Sequence, residues 1–450
     1  MDERLDAGLA ALAEVPVPLD WAEVQRRADE PSPHPMPDPT AAAPPERHRR
    51  TMAMVLAAAA LVIVAGAALV WRGGDDVQTG PLDGPGDVMV TRQGTWRSIA
   101  PSPLQPRGGA QAVWTGEQMV VLGGTSETPC PMGAACDRNP VYFTDGAAYT
   151  PATDSWQMLP DAPAAQIGTP VWTGEDLLVL AIPSPGALEV VLLSWTPGEN
   201  AWQTLPVPPS VPYYGSAALW AANRLVVPSV QPDSSRRYLG YDPTTGQWDG
   251  IPAPDFGCVE ELGLDTWNTT MVATAMRCRA EGSDEPGAMA AAVYEPATNS
   301  WRQLPDSDLV WAGDLIEADG VLVRPNPSFV DGGDVNPFPR RPEGGQLDPT
   351  TGTWSPLAPL PKVPVSEPGS YYALNHDGPA GSWAAQPPYL YAPSAGRWHF
   401  NRTSRPDRAT NADATVWTGT EIIEWGGNNE RWTAYVNTGA AYTPPDPNEP

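Results

Sequence analysis

The chain of 450 residues is nearly devoid of lysine: of its 26 basic side chains, only Lys362 is one, and the rest are arginine. Against 53 acids they leave a net charge of −27. So acidic a chain is a poor match for nucleic acid, because nothing offsets phosphate repulsion. Phenylalanine is scarce as well, 5 against 19 tryptophans, an odd ratio for an ordinary core. There are four cysteines and four histidines. None of the cysteines precedes residue 130, so a His–Cys zinc motif is excluded from the N-terminal segment. Proline and glycine abound instead, at 56 and 42 residues. One proline in about eight residues, where about one in twenty is usual, speaks against a helical protein and for short strands joined by many turns.

Charge is missing altogether from Thr51 to Trp71, TMAMVLAAAALVIVAGAALVW. As a helix rising 1.5 Å per residue, this run spans a bilayer core of about 30 Å. Arg47, Arg49 and Arg50 precede it, and Asp75 and Asp76 follow. The positive-inside rule then puts the N-terminus in the cytoplasm and the remainder outside. A buried core helix and a cleaved signal peptide are the alternatives. The flanking arginines argue against the first and the 50-residue leader against the second.

The expected organisation is a cytoplasmic segment at 1–30, a linker at 31–50, a transmembrane helix at 51–71, an extracellular linker at 72–91, a repeat domain at 92–445 and a tail at 446–450. Leu5, Leu9 and Leu12 fall at helical spacing, and Asp20 with Glu23 resembles a capping box for a second short helix. From Pro31 to Pro45 the chain is proline-rich and extended. Two short helices on a tether could hold a regulatory partner. The plan is similar to membrane-bound anti-sigma regulators of high-GC bacteria, and a solvated stub is the alternative.

Seven tryptophans punctuate the outer part: Trp96, Trp156, Trp202, Trp248, Trp301, Trp354 and Trp398. Their spacings of 60, 46, 46, 53, 53 and 44 mark a repeat architecture. From Trp156 onward a proline stands five residues before each. Two residues before each of the seven stands Gly, Asn or Asp, the types that tolerate positive φ: Gly94, Asp154, Asn200, Gly246, Asn299, Gly352 and Gly396. A large apolar residue, usually tyrosine, lies seven before. The pattern reads as a tight hairpin with aromatics on paired strands. A second hairpin precedes it, as in Val113-Trp114-Thr115-Gly116, Val171-Trp172-Thr173-Gly174 and Val416-Trp417-Thr418-Gly419. Four strands in about 50 residues is the period of a propeller blade.

These residues resemble the Kelch family and the central domain of galactose oxidase. That repeat carries Gly-Gly after the second strand, Tyr in the third and Trp in the fourth. Gly pairs stand at 123–124 and 426–427, whereas middle blades read Ala181-Ile182 or Pro228-Ser229, so the repeats are degenerate. The resemblance covers about residues 92–445 and implies an all-β, seven-bladed propeller. The last unit ends at Tyr442-Thr443-Pro444 without its fourth strand, while Gly94–Ile99 has the fourth-strand pattern with no third strand before it. The N-terminal strand is therefore expected to complete the last blade and close the ring.

All four cysteines fall outside the membrane on this topology. Cys258 lies near the start of an innermost strand and Cys278 at the end of its antiparallel neighbour, so the propeller pairs 258 with 278 and, by the same choice, 130 with 136. Long loops are expected between second and third strands, at 125–144, 231–237, 279–288 and 324–345, and the elaborated face is the expected binding face. It offers Arg107, Arg236, Arg237, Arg340 and Arg341 beside Asp331 and Asp334, and the arginines suit carboxylates or acidic sugars. Each is also readable as an ordinary solvated loop charge.

No catalytic set stands out. Only His376 and His399 lie beyond the membrane segment, too few for a galactose-oxidase-type copper site. The Gly two residues before Trp is out of register with a sialidase Asp box, and there is no Ser/His/Asp triad or P-loop. Asp255 with Glu260 and Glu261 is an acidic group open to hydrolase or Ca²⁺ readings, and no cofactor is expected. The leading expectation is a membrane-anchored extracellular module that binds a protein or a carbohydrate. The alternatives are a signal-transducing regulator with a sigma-factor-type partner on its stub and a carbohydrate-active enzyme.

Overall fold

The aromatic hairpin is the unit of construction, and its pairing is direct. Tyr149 lies opposite Trp156, Tyr241 opposite Trp248, Tyr294 opposite Trp301, Leu347 opposite Trp354 and Tyr391 opposite Trp398. The computed structural model describes residues 92–448 except 127–139, 188, 207–217, 231–235, 281–286, 308–314, 325–344, 359–377, 381, 387–388, 402 and 430–432. The expected cytoplasmic segment, membrane helix and linkers lie outside these residues. Among the described residues no helix is long and apolar enough to cross a membrane.

The strands form seven antiparallel sheets. Blade 1 runs Gln111–Trp114, Met119–Leu122, Gly146–Thr150 and Ser155–Met158 from the inside outward. Blades 3 to 6 repeat the plan from the innermost strands Leu219–Ala221, Val259–Trp267, Ile316–Ala318 and Gly378–Ala380. In blade 2 the innermost strand is split into Gln166–Ile167 and Val171–Trp172, both paired with Leu177–Ile182. Gly168 and Pro170 lie in the break. Blade 7 takes Ala414–Trp417, Ile422–Trp425 and Gly439–Thr443 from the C-terminal end of the chain and Thr95–Ser98 from the beginning as its outermost strand. The innermost strands touch in order around the ring, and the one of blade 7 touches that of blade 1. The ring is therefore a closed seven-bladed β-propeller.

Second and third strands carry continuous apolar runs such as Met119–Leu122, because both faces of each blade are covered by neighbours. Side chains alternate, one set packing forward and the other back. Val120 and Leu122 meet Leu177 and Trp195 between blades 1 and 2. Met119, Val121 and Tyr149 meet Val416, Ile423 and Trp425 between blades 7 and 1. Every consecutive pair of blades shares such a cluster.

The repeating tryptophan fastens blade to blade. Its indole N–H donates to a carbonyl just beyond the outermost strand of the preceding blade: Trp156 to Ala100, Trp202 to Pro160, Trp248 to Pro206, Trp301 to Pro252, Trp354 to Pro305 and Trp398 to Ala358, all within 2.7–3.0 Å. Each acceptor stands four residues after the preceding tryptophan. Trp96 is the exception: its indole nitrogen is buried and makes no such bond among the described residues.

Two of the seven residues expected at positive φ behave differently. Asp154, Asn299, Gly246, Gly352 and Gly396 have φ of 47°, 48°, 68°, 73° and 59°. In blade 2 it is Gly198, at φ 92°, rather than Asn200 that turns the chain, because a glycine stands earlier in the same turn. Gly94 is absent from the left-handed residues, since no third strand precedes it and there is no turn to close. Its glycine serves contact instead: a Cβ there would lie 2.4 Å from the Tyr442 ring.

Candidate functional site

Of the arginines and acids expected to bind on the long-loop face, the structure describes Arg107, Arg236 and Arg237. Arg107 is fully buried. Its guanidinium pairs with Asp145 and donates to the carbonyls of Gln105 and Gly123, and it lies 4.0 Å above the Phe143 ring. It braces blade 1 and is not presented to a ligand. Arg405 is its counterpart in blade 7, equally buried, bonded to the Gly426 and Thr438 carbonyls and paired with Asp407 and Glu424. Both arginines reach the carbonyl of the first glycine of a Gly-Gly pair, Gly123 or Gly426, and all four glycines have positive φ. A Cβ on Gly427 would stand 2.4 Å from the Thr410 carbonyl.

Arg236 and Arg237 belong to the third strand of blade 3, opposite Val230 and Ser229, so the loop expected at 231–237 is two residues shorter. The ladder continues to Arg236 because extended pairing satisfies the backbone there. Arg237 is exposed. Arg340, Arg341, Asp331, Asp334, Cys130, Cys136 and His376 lie outside the described residues. Of the acidic group, Asp255 accepts from the Gly257 amide. His399 is buried between blades 6 and 7, its ring against Trp383 and near the Tyr442 hydroxyl, away from the axis. Cys258 and Cys278 form a disulfide with Cα atoms 5.4 Å apart, extended by a hydrogen bond from the Cys278 amide to the Cys258 carbonyl. It ties the innermost strand of blade 4 to its neighbour on the long-loop face.

The opposite face, built of short turns, carries a different arrangement. The Val-Trp-Thr-Gly turns share one chemistry. Thr115, Thr173 and Thr418 each accept backbone N–H bonds from two residues ahead and three ahead through Oγ1. Gly116, Gly174 and Gly419 stand at φ 97°, 104° and 101°. The turn fixes the tryptophan before it at the axial end of the innermost strand. Trp114, Trp172, Trp220, Trp267 and Trp417 occupy this position in five blades, all half-buried.

Beside Trp417 lies a cavity of about 300 Å³ lined also by Asp265 and Thr266 of blade 4 and by Leu315, Glu317, Ala318 and Asp319 of blade 5, Trp417 itself belonging to blade 7. Blades 4 and 7 are not neighbours, so residues from both meet only around the axis. The three carboxylates are held in place: the Leu315 amide donates to Asp265 at 3.2 Å, the Asn268 amide to Glu317 at 3.1 Å and the Ser394 hydroxyl to Asp319. Among the described residues no basic side chain lines the cavity. A second cavity of about 560 Å³ opens on the same face between blades 3 and 4, walled by Asn223, Thr269, Thr270, Glu295 and Thr298 among others. Sequence reasoning put no site here. The repeated Val-Trp-Thr-Gly was its visible signal, but the meeting of Asp265, Glu317 and Trp417 needed the ring.

Electrostatics concentrates at the seam between blades 7 and 1. Arg97, on the closing strand, pairs with Glu421 and donates to the Tyr149 hydroxyl at 3.3 Å. That hydroxyl donates to Asp154, whose carboxylate also accepts the Ala100 amide. Burial, with smaller opposed effects of Arg97 and Asp154, pushes the Tyr149 phenol up to about 12. The Tyr149 and Ala100 donors hold Asp154 below the usual carboxylate range. Asp413 bridges the seam, accepting from Gly109 and Gly427 at 2.8 Å each. Its burial raises its pKa against those two bonds and the nearby Arg405.

No family model matches the chain, and no curated protein matches it. Among solved structures it is similar to one described as the structure of YjhT, at 12% identity and a TM-score of 0.39, over 76% of this chain and 95% of that one. The propeller assignment rests on the strand pairing and ring closure described above.

Proposed function

We propose that the chain is a membrane-anchored binding module, a degenerate Kelch-type propeller displayed outside the cell to engage a protein or carbohydrate. The observation that carries this reading is the closed, cross-fastened ring, with a tryptophan latch at six blade junctions and a preformed cavity at its axis. A rigid scaffold lowers the ordering cost of binding. The charge-free run at 51–71 supports the anchor, and the arginines before it support a cytoplasmic N-terminus.

A second reading follows from the two short helical patterns within residues 1–30: capture outside alters what the stub holds inside. Affinity capture with the full-length chain in detergent tests both. Retention of a cell-surface protein or glycan supports the binding reading. Co-purification of a sigma-factor-type protein that is lost on deleting residues 1–30 supports the second. Turnover of a retained glycan would replace both with a carbohydrate-active enzyme.

A further inference from the structure

We propose that the short-turn face is a saccharide site, with the axial cavity seating one neutral sugar ring and the chain of the glycan crossing the blade 4 turn into the second cavity. This rests on the binding-module reading and names its ligand class and face. The site is distinct from the long-loop face, where the arginines lie.

Three observations lead to it. The first is the tryptophan array. Indoles present a flat apolar face with a polar edge, which suits the alternating C–H and hydroxyl faces of a pyranose. In this protein six of the seven outer tryptophans direct their N–H groups to neighbouring blades, as does Trp267, which donates to the Gly320 carbonyl at 3.0 Å. Trp114, Trp172, Trp220 and Trp417 make no indole hydrogen bond among the described residues, and all are half-buried. Each packs against a core cluster between blades, which fixes its ring before any ligand arrives, and Trp417 is the one that reaches a cavity among the described residues.

The second observation is the cavity at the edge of Trp417. Its volume of about 300 Å³ is at the small end of ligand pockets, which run about 300–1,000 Å³. Carboxylates anchored by Leu315, Asn268 and Ser394 are acceptors for sugar hydroxyls. The described lining holds carboxylates and no cation, so a uronate or sialate would meet like charge there, and the ring it takes is neutral.

The third is the second cavity. It lies across the blade 4 turn Asn268–Thr269 from the first, since Thr266 lines one and Thr269 and Thr270 line the other. Its walls offer hydroxyls, an amide and one carboxylate, again without a basic side chain among the described residues. Two neighbouring cavities on one face, each with polar groups set in a partly apolar wall, suit an oligosaccharide better than a lone small ion.

The test is a glycan array probed with the full-length chain in detergent, carrying neutral hexose and N-acetylhexosamine oligomers, with sialylated and uronate glycans as acidic probes. Expected is retention of a neutral glycan, with affinity falling tenfold or more in Trp417→Ala and in Glu317→Gln. Glu317→Gln removes charge without touching the core, so it remains informative if Trp417→Ala fails to fold. The Arg236→Ala/Arg237→Ala double variant should bind as the parent does. Selective retention of acidic glycans, or neutral binding that survives Glu317→Gln and Asp319→Asn, overturns the site. Capture of a protein ligand with no glycan bound overturns the saccharide site and leaves the binding-module reading standing.

Discussion

Trp96 and Tyr442 face each other across the ladder that closes the ring, with ring centroids 5.0 Å apart. This is the same pairing that five of the other six blades make within one hairpin. Here the two residues come from opposite ends of the propeller sequence, so the contact that is local elsewhere becomes the closure. Gly94 lets the Tyr442 ring lie against the backbone, and Arg97 ties the strand to Glu421 and Tyr149.

Removing this strand should open the ring. Deletion of residues 73–100 is expected to lower the melting temperature and to cause self-association, because Gly439–Thr443 becomes an exposed edge. Scanning calorimetry and sedimentation check it. A truncated protein that melts like the intact one would refute closure by Thr95–Ser98.

Gly94→Ala is the finer probe. Its Cβ would fall 2.4 Å from the Tyr442 ring and 2.5 Å from the Thr443 carbonyl, so it should destabilise by about 1–3 kcal/mol through overpacking. Gly396→Ala forms a contrast, since nothing lies within 4 Å and only the left-handed φ of 59° resists it. Denaturant titration of both variants measures the difference.

The latches can be weighed one at a time. Trp301→Phe keeps an aromatic ring but loses the 2.7 Å bond to the Pro252 carbonyl. About 1 kcal/mol of stability should go with that bond, and somewhat more with the lost ring area. The same substitution at Trp114, which has no such bond among the described residues, should cost only the area term.

Replacing Cys258 and Cys278 by serine should lower stability by about 3 kcal/mol, as expected for a closed loop of about 20 residues. The double variant isolates this bridge from Cys130 and Cys136. An unchanged unfolding midpoint would show that the bridge contributes nothing to the fold.

Acid should loosen the seam between blades 7 and 1. Asp154 is held below its unfolded pKa by Tyr149 and the Ala100 amide. Its contribution is therefore present above the unfolded value near about 4 and is lost as pH falls through the lower folded value. Tyr149 acts on the alkaline side: its folded pKa of about 12 exceeds the unfolded value near about 10. That contribution is present below about 10 and disappears as pH rises toward about 12. Asp154→Asn should flatten the acid limb of a stability–pH curve and move the alkaline limb to lower pH, since Asp154 helps to raise the Tyr149 phenol.

The blades were legible because hairpin chemistry is local. Asp348-Pro349-Thr350-Thr351-Gly352-Thr353-Trp354 carries its own turn: Asp348 accepts the Thr350 amide, Gly352 takes φ 73°, and Trp354 pairs with Leu347. The seven tryptophans, the Cys258–Cys278 bridge and the strand borrowed for the last blade follow from such spacing. Arg107 was misplaced because a side chain's direction is not written in its position along the chain. Near a loop in sequence, it turns inward to Asp145 because a buried backbone carbonyl and a carboxylate stand there.

Sequence by itself thus determined the repeat, its turns, the number of blades and the charge-free segment at 51–71, all of which rest on neighbours within a few residues. Only the tertiary structure decided which groups share a site. Asp265, Glu317 and Trp417 come from blades 4, 5 and 7 and have no sequence relation to one another. Closure of the ring brings their innermost strands around one axis, and that is a property of the number of blades and the packing between them, not of any one repeat.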